Sequence, residues 1–221
     1  MKVIAIAMQK GGVGKSMLAR SIAVAAAGGG LASALFDMDP QQTSALWHRR
    51  RALLGHQLPV TSFVPEMNLG EELARMRDAG CDLVVIDTPP AKGSEAFSAI
   101  EKADLVVIPC TPTIEAYEQI ARTATAAKLS GKPAVAVLNL VTPNSQSQLT
   151  IANAVFEKFE MASAPVVLHR YTQHAEAGAK GLTATDAAAD SKAKAEVAEL
   201  WTWLRANLGF QANVVAMKRR A

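Results

Sequence analysis

Only two cysteines occur in the 221 residues, Cys81 and Cys110. They lie far apart, without metal-ligand spacing, and the four histidines form no cluster with them. That excludes a disulfide framework and a Cys/His zinc site, and reads as two small hydrophobes in a reducing compartment. No apolar run approaches the roughly 18 residues that a membrane span requires. Neither sign of charge dominates: Lys+Arg 23 against Asp+Glu 20 gives a net charge of +3, so bulk charge demands no nucleic acid. No internal repeat, long linker or composition shift marks a domain boundary. The N-terminus runs at once into an apolar segment, leaving no room for a signal peptide, and a cytoplasmic protein is the expectation.

What is present is apolar and periodic. Half of the residues are hydrophobic, ample for one sizeable core. Strand-like runs recur at Lys2–Met8, Ala32–Phe36, Leu58–Phe63, Leu83–Ile86, Leu105–Ile108, Ala134–Leu138 and Pro165–Leu168. Several are unbroken Val/Ile/Leu stretches, as expected of strands covered on both faces of a parallel sheet. The segments between them are long enough for crossover helices. Helical spacing is clear in Ile114–Ser130 and in Ser191–Leu208, where Val197, Leu200, Trp201, Leu204 and Leu208 share a face. The fold class is α/β: a doubly wound, mostly parallel sheet with helices on both faces. Residues 1–210 form one domain, and 211–221, ending Lys218-Arg219-Arg220, a flexible basic tail.

The chemistry sits where strands end. Gln9-Lys10-Gly11-Gly12-Val13-Gly14-Lys15-Ser16 follows the first strand and precedes a helix from Met17. Strand, glycine-rich turn with Gly-Lys-Ser, then helix is the context of a phosphate loop. Its backbone N–H groups and the helix N-terminus favour an anion, Lys15 neutralises phosphate charge, and Ser16 offers a hydroxyl to Mg²⁺. Phe36-Asp37-Met38-Asp39-Pro40-Gln41 puts two carboxylates at the second strand's end, fit to orient a metal-bound or attacking water. Asp39 also reads as a helix cap with Pro40 at the first helical position. Leu83-Val84-Val85-Ile86-Asp87-Thr88-Pro89-Pro90 ends an apolar strand in an aspartate, the Walker B arrangement, and a buried carboxylate there calls for a cation.

The ordinary phosphate loop has glycine where this chain has Gln9, and lacks the second lysine, Lys10. The pattern resembles the deviant Walker A motif, K-G-G-x-G-K-[ST], of the ParA/MinD family of P-loop ATPases. D-x-D-P-Q at 37–41 and D-x-P-P at 87–90 strengthen the resemblance, which covers most of the chain. It implies ATP bound with Mg²⁺ by Gly11, Gly12, Val13, Gly14, Lys15, Ser16 and Met17. Asn139 contacts adenine in this scheme, and Pro112 lies near the nucleotide. Ser16, Asp37 and Asp87 serve the metal, and Asp39 activates or positions the hydrolytic water. Lys10 reaches across an ATP-dependent homodimer to the partner's nucleotide. The chain begins at the phosphate-loop strand, so the resemblance is to the short ParA subgroup.

That subgroup binds DNA without sequence preference as the ATP dimer, in plasmid and chromosome segregation. A ParB-like or other adaptor stimulates hydrolysis, and the protein is nucleoid-associated. Basic residues for such a face are Arg170, Lys180, Lys192, Lys194, Arg205 and the tail, with His48-Arg49-Arg50-Arg51 as a second run. The alternative is a MinD-like ATPase docked on a membrane surface through the apolar and basic tail. An iron–sulfur reductase on the same fold needs cluster cysteines that Cys81 and Cys110 do not supply. A non-enzymatic module is opposed by the intact Lys15, Ser16, Asp39 and Asp87.

Overall fold

A computed structural model describes residues 1–90, 93–187 and 190–210. Seven strands form one sheet: β1 (Lys2–Ile6), β2 (Ser33–Asp37), β3 (Val60–Phe63), β4 (Leu83–Asp87), β5 (Leu105–Cys110), β6 (Ala134–Val141) and β7 (Leu168–His169). Their order is β3-β2-β4-β1-β5-β6-β7, and every adjacent pair is parallel. The helices are α1 (Lys15–Gly28), α2 (Thr43–Leu53), α3 (Leu69–Asp78), α4 (Ser94–Lys102), α5 (Ile114–Leu129), α6 (Gln146–Lys158), α7 (Thr172–Ala179) and α8 (Lys192–Asn207).

Alternation within the strands builds two cores. Val3, Ala5 and Ala7 face one side, where α3 to α6 contribute Leu73, Ile100, Ile120 and Phe156. Ile4 and Ile6 face the other, against Leu18 and Ile22 of α1, Trp47 of α2, and Leu200 and Leu204 of α8. The unbroken apolar strands therefore lie between two helical layers, as their composition requires.

Helix α2 locks against the segment after α7. The Trp47 indole N–H donates to the Leu182 carbonyl at 3.0 Å, and Arg51 forks onto Asp186 at 2.9 and 3.0 Å. Gly181, at φ +78°, makes this approach possible, because a Cβ there would stand 2.4 Å from the Arg51 backbone nitrogen.

Several expectations shift. β7 is two residues, Leu168–His169, rather than Pro165–Leu168. Pro165 has no N–H to lend a ladder, and Ser163 makes only an isolated bridge with Ala136. β6 runs on to Val141, with an irregularity between Asn139 and Val141. Helix α2 begins at Thr43, so neither Asp39 nor Pro40 occupies its first turn. Asp37 caps it instead: its Oδ2 accepts from the backbone N–H groups of Ser44 and Ala45 at 2.8 and 3.0 Å. The Asp39 carboxylate closes a local turn, accepting from the Gln41 N–H at 2.9 Å. The predicted tail, 211–221, lies outside the described residues.

Candidate nucleotide site

The carboxyl ends of β1, β2, β4, β5 and β6 open on one edge of the sheet, where ligands bind in this architecture. The β1–α1 turn brings the glycine-rich segment there. Gly12 and Gly14 take left-handed φ values of +77° and +87°, and Gly14 caps α1. The turn is thus shaped by residues that tolerate that backbone, and α1 starts at Lys15 with no acid in its first turn to compete for an anion.

Lys15 is buried, and its ammonium donates to the Lys10 carbonyl at 3.1 Å. Burial lowers its pKa, while Asp87 and Asp39 pull the other way. Such a cation, poorly solvated and short of an anionic partner, is suited to phosphate oxygens. Lys10 points outward: its ammonium is 3.3 Å from Glu115 Oε2 on the first turn of α5.

Asp37 and Asp87 stand side by side, in register on neighbouring strands and fully buried. Asp87 Oδ2 accepts from the Ser44 hydroxyl at 2.8 Å, and that hydroxyl accepts from Arg20 Nε at 2.9 Å. Asp87 Oδ1 is buried without a hydrogen-bond partner. Desolvation, then Asp37, pushes the Asp87 pKa up to about 6. An unpaired buried carboxylate oxygen beside Ser16 is the atom a divalent cation would satisfy. Among the described residues no three His, Cys, Asp or Glu are placed to hold a metal by themselves. Mg²⁺ keeps several waters and takes one or two carboxylates plus phosphate oxygens, so the unpartnered Asp87 Oδ1 is a donor it could use. Asp37 is less available, since Oδ1 accepts from the Asp39 N–H at 3.1 Å and Oδ2 is the helix cap.

Asn139 is fully buried at the end of β6, with its amide engaged at both ends: Nδ2 donates to the Val13 carbonyl at 2.8 Å and Oδ1 accepts from the Leu140 N–H at 2.9 Å. A cavity of about 830 Å³ beside the loop is lined by Gly12, Gly14, Met17, Leu140, Tyr171 and His174. Pro112 is not among its lining residues; it lies in the β5–α5 turn, three residues before Glu115. Arg20, Ser44 and Glu115 escaped the sequence reading. Arg20 looks like an ordinary helix-surface residue until Trp47 is seen beneath its guanidinium, 5.6 Å from the ring centroid.

A family profile described as "CobQ/CobB/MinD/ParA nucleotide binding domain" matches residues 4–184. The chain belongs to this family. It is a nucleotide-binding ATPase of the ParA/MinD kind, with the seven-stranded parallel sheet of that fold. A maintenance of carboxysome distribution protein A from Gloeobacter kilaueensis is 31% identical over 185 residues, covering 82% of this chain and 83% of the relative. The chromosome-partitioning ATPase Soj of Thermus thermophilus is 34% identical over 144 residues, covering 53% of this chain and 58% of Soj. The Pyrococcus horikoshii septum site-determining protein MinD, solved with Mg-ADP, superposes with a TM-score of 0.77 at 17% identity, covering 96% of this chain and 99% of that one.

The raised Asp87 pKa gives this ATPase a testable pH signature. The folded chain holds that proton more tightly than an unfolded aspartate at 3.8, so the group favours folding below 3.8 and the benefit is lost as pH rises through about 6. At neutral pH, holding Asp87 ionised without a cation costs on the order of 3 kcal/mol. Asp87→Asn removes the charge and keeps an acceptor for Ser44. In Mg²⁺-free buffer at pH 7.5 its Tm should exceed that of the natural chain by about 5 °C or more. The gap should close as pH falls below 6, as differential scanning fluorimetry would show. An equal or lower Tm for the variant at pH 7.5 would refute the assigned burial cost.

Proposed function

We propose that this chain is a ParA-like partition ATPase. ATP closes two copies face to face, the ATP dimer binds DNA without sequence preference, and hydrolysis, stimulated by a ParB-like or other adaptor, releases it to position or segregate a cargo. The observation that carries the reading is the pair of lysines on one loop. Lys15 is buried beneath the phosphate site, whereas Lys10 is partly exposed at its rim and turned away from it. An amine facing outward there serves a ligand held by another copy. The Gloeobacter and Thermus relatives, named for distributing carboxysomes and partitioning chromosomes, favour a positioning role.

ATP and Mg²⁺ are the ligands of this reading. Mg²⁺ would be held by Ser16 and Asp87, with Asp37 behind, and supplies charge neutralisation at the phosphate oxygens. The chain's own groups do the rest. The loop N–H groups and Lys15 bind and orient the triphosphate, and Asp39 positions the attacking water. Loss of the terminal phosphate removes what the two copies share, so the dimer opens.

The DNA face would draw on Arg49, Arg50, Arg170, Lys180 and Lys192, all exposed. Arg51 leaves the set, being buried against Asp186. Lys194 is half-buried, with its ammonium on the Ala187 carbonyl at 2.8 Å. The tail invoked for membrane docking lies outside the described residues, and among those residues no helix is long and apolar enough to cross a membrane.

Fluorescence anisotropy with random-sequence duplex DNA tests the proposal. Binding should require ATP, be absent with ADP, and weaken linearly in log–log terms as salt rises. Asp39→Ala should trap the ATP dimer, retaining DNA binding while turnover falls by about 100-fold or more. Equal binding with ATP and ADP would sink the DNA switch. ATP-dependent liposome flotation lost on deleting 210–221 would replace it with the membrane version.

A further inference from the structure

The Asn139 side chain holds the phosphate loop from below. Asn139 ends the regular part of β6, and the residue after it, Leu140, takes a left-handed φ of +57°. The pairing to β7 breaks at this point, Asn139 matching Leu168 and Val141 matching His169. A strand irregularity of this kind re-aims a side chain. Here the Asn139 amide lies under the loop, where Nδ2 donates to the Val13 carbonyl across 126 residues of sequence. The other end of the amide accepts from Leu140, which fixes its orientation. The side chain is wholly excluded from solvent, so both bonds form without competition from water.

The contact also shapes the next residue. A Cβ on Gly14 would stand 2.4 Å from Asn139 Nδ2. Gly14 is required twice over, by its φ and by the amide pressed against it. Val13 and Gly14 share one peptide unit of the turn, and in a trans peptide the Gly14 N–H points opposite to the Val13 carbonyl that Asn139 holds. Orientation of these peptide units is what an anion-binding turn consists of.

We propose that Asn139 is a positioning residue for the triphosphate: it sets the phosphate loop's shape through Val13. The inference rests on the phosphate-loop reading of residues 9–16. It is separate from the adenine contact that the resemblance implies: one amide hydrogen is spent on Val13 and one oxygen lone pair on Leu140, both inside the protein.

Isothermal titration of Mg-ATP and Mg-tripolyphosphate separates the two roles, since tripolyphosphate has no base. Asn139→Ala should weaken tripolyphosphate as well as ATP, each by about tenfold or more. Asn139→Ser serves as the second variant. Its short hydroxyl can still accept from Leu140 but cannot reach Val13, so its Tm should stay near that of the natural chain while both phosphate ligands weaken. Loss confined to ATP, with tripolyphosphate spared, would make Asn139 a base reader and overturn the proposal. Natural affinity for both ligands in Asn139→Ser would overturn it too, by reducing the side chain to a local turn. If the natural chain itself binds neither ATP nor tripolyphosphate, the phosphate-loop reading fails first and the proposal falls with it.

Discussion

A Lys15→Gln chain should keep its fold and lose ATP affinity by about 100- to 1,000-fold. The ammonium is buried, and its one direct bond is to the Lys10 carbonyl at 3.1 Å. Glutamine can still donate a hydrogen bond and is close in length, so the loop keeps most of its support. The charge, however, is gone. A charge-assisted bond to a phosphate oxygen contributes about 1.5–3 kcal/mol, and more than one such oxygen lies within reach of a phosphate-loop lysine. At 1.4 kcal/mol per tenfold, the stated loss follows. Asp87 sharpens the effect: with Lys15 neutral, the triphosphate enters a site that still holds the buried carboxylates of Asp37 and Asp87. Equilibrium dialysis with labelled ATP, set beside a thermal melt, is the check. Affinity within threefold of the natural chain would remove Lys15 from the phosphate site.

The same site shows what sequence could and could not reveal. The buried strands were legible because two helical layers demand unbroken apolar runs, and β4 is Leu-Val-Val-Ile-Asp with every residue buried. The phosphate loop and Asp87 were legible because glycines, lysine and a strand-end carboxylate sit at fixed offsets along the chain. Asp37 was found but given half its role. Its capping of α2 depends on where that helix starts, and the Asp39-Pro40 pair offered a false start three residues early. Arg20, Ser44 and Glu115 were missed because their significance lies between elements. Arg20 on α1, Ser44 on α2 and Asp87 on β4 join into one hydrogen-bonded line only once the chain has folded. Among the four residues His48 to Arg51 the charge pattern predicted a uniform basic run, yet the helical period turns Arg51 inward onto Asp186 and leaves Arg49 and Arg50 outward. Spacing along one segment is written in the sequence; the partner that a buried side chain meets is not.

Lys10→Ala should separate two functions that share a loop. Monomer affinity for ATP should change by less than about threefold, whereas ATP-dependent dimerisation should fall beyond detection, and steady-state hydrolysis with it. The asymmetry follows from placement. The Lys10 carbonyl, which supports Lys15, is backbone and survives the substitution. Its ammonium touches Glu115 at the rim, where the lysine is partly exposed and the glutamate open to water, so losing the pair disturbs little in the single chain. In a closed dimer the balance changes. Two copies would bring two triphosphates and both sets of carboxylates into one dry interface, and like charges in low dielectric repel steeply. A cation lent from each copy is the compensating charge, and without it the interface lacks what offsets the phosphates. Glu115 must release Lys10 for this to happen, and a solvent-exposed pair gives way readily. Size-exclusion chromatography with light scattering, run with a non-hydrolysable ATP analogue, reads the outcome directly. A Lys10→Ala chain that still dimerises on the analogue and hydrolyses ATP at the natural rate would show that the outward lysine is incidental, and the partition reading would lose the observation that carries it.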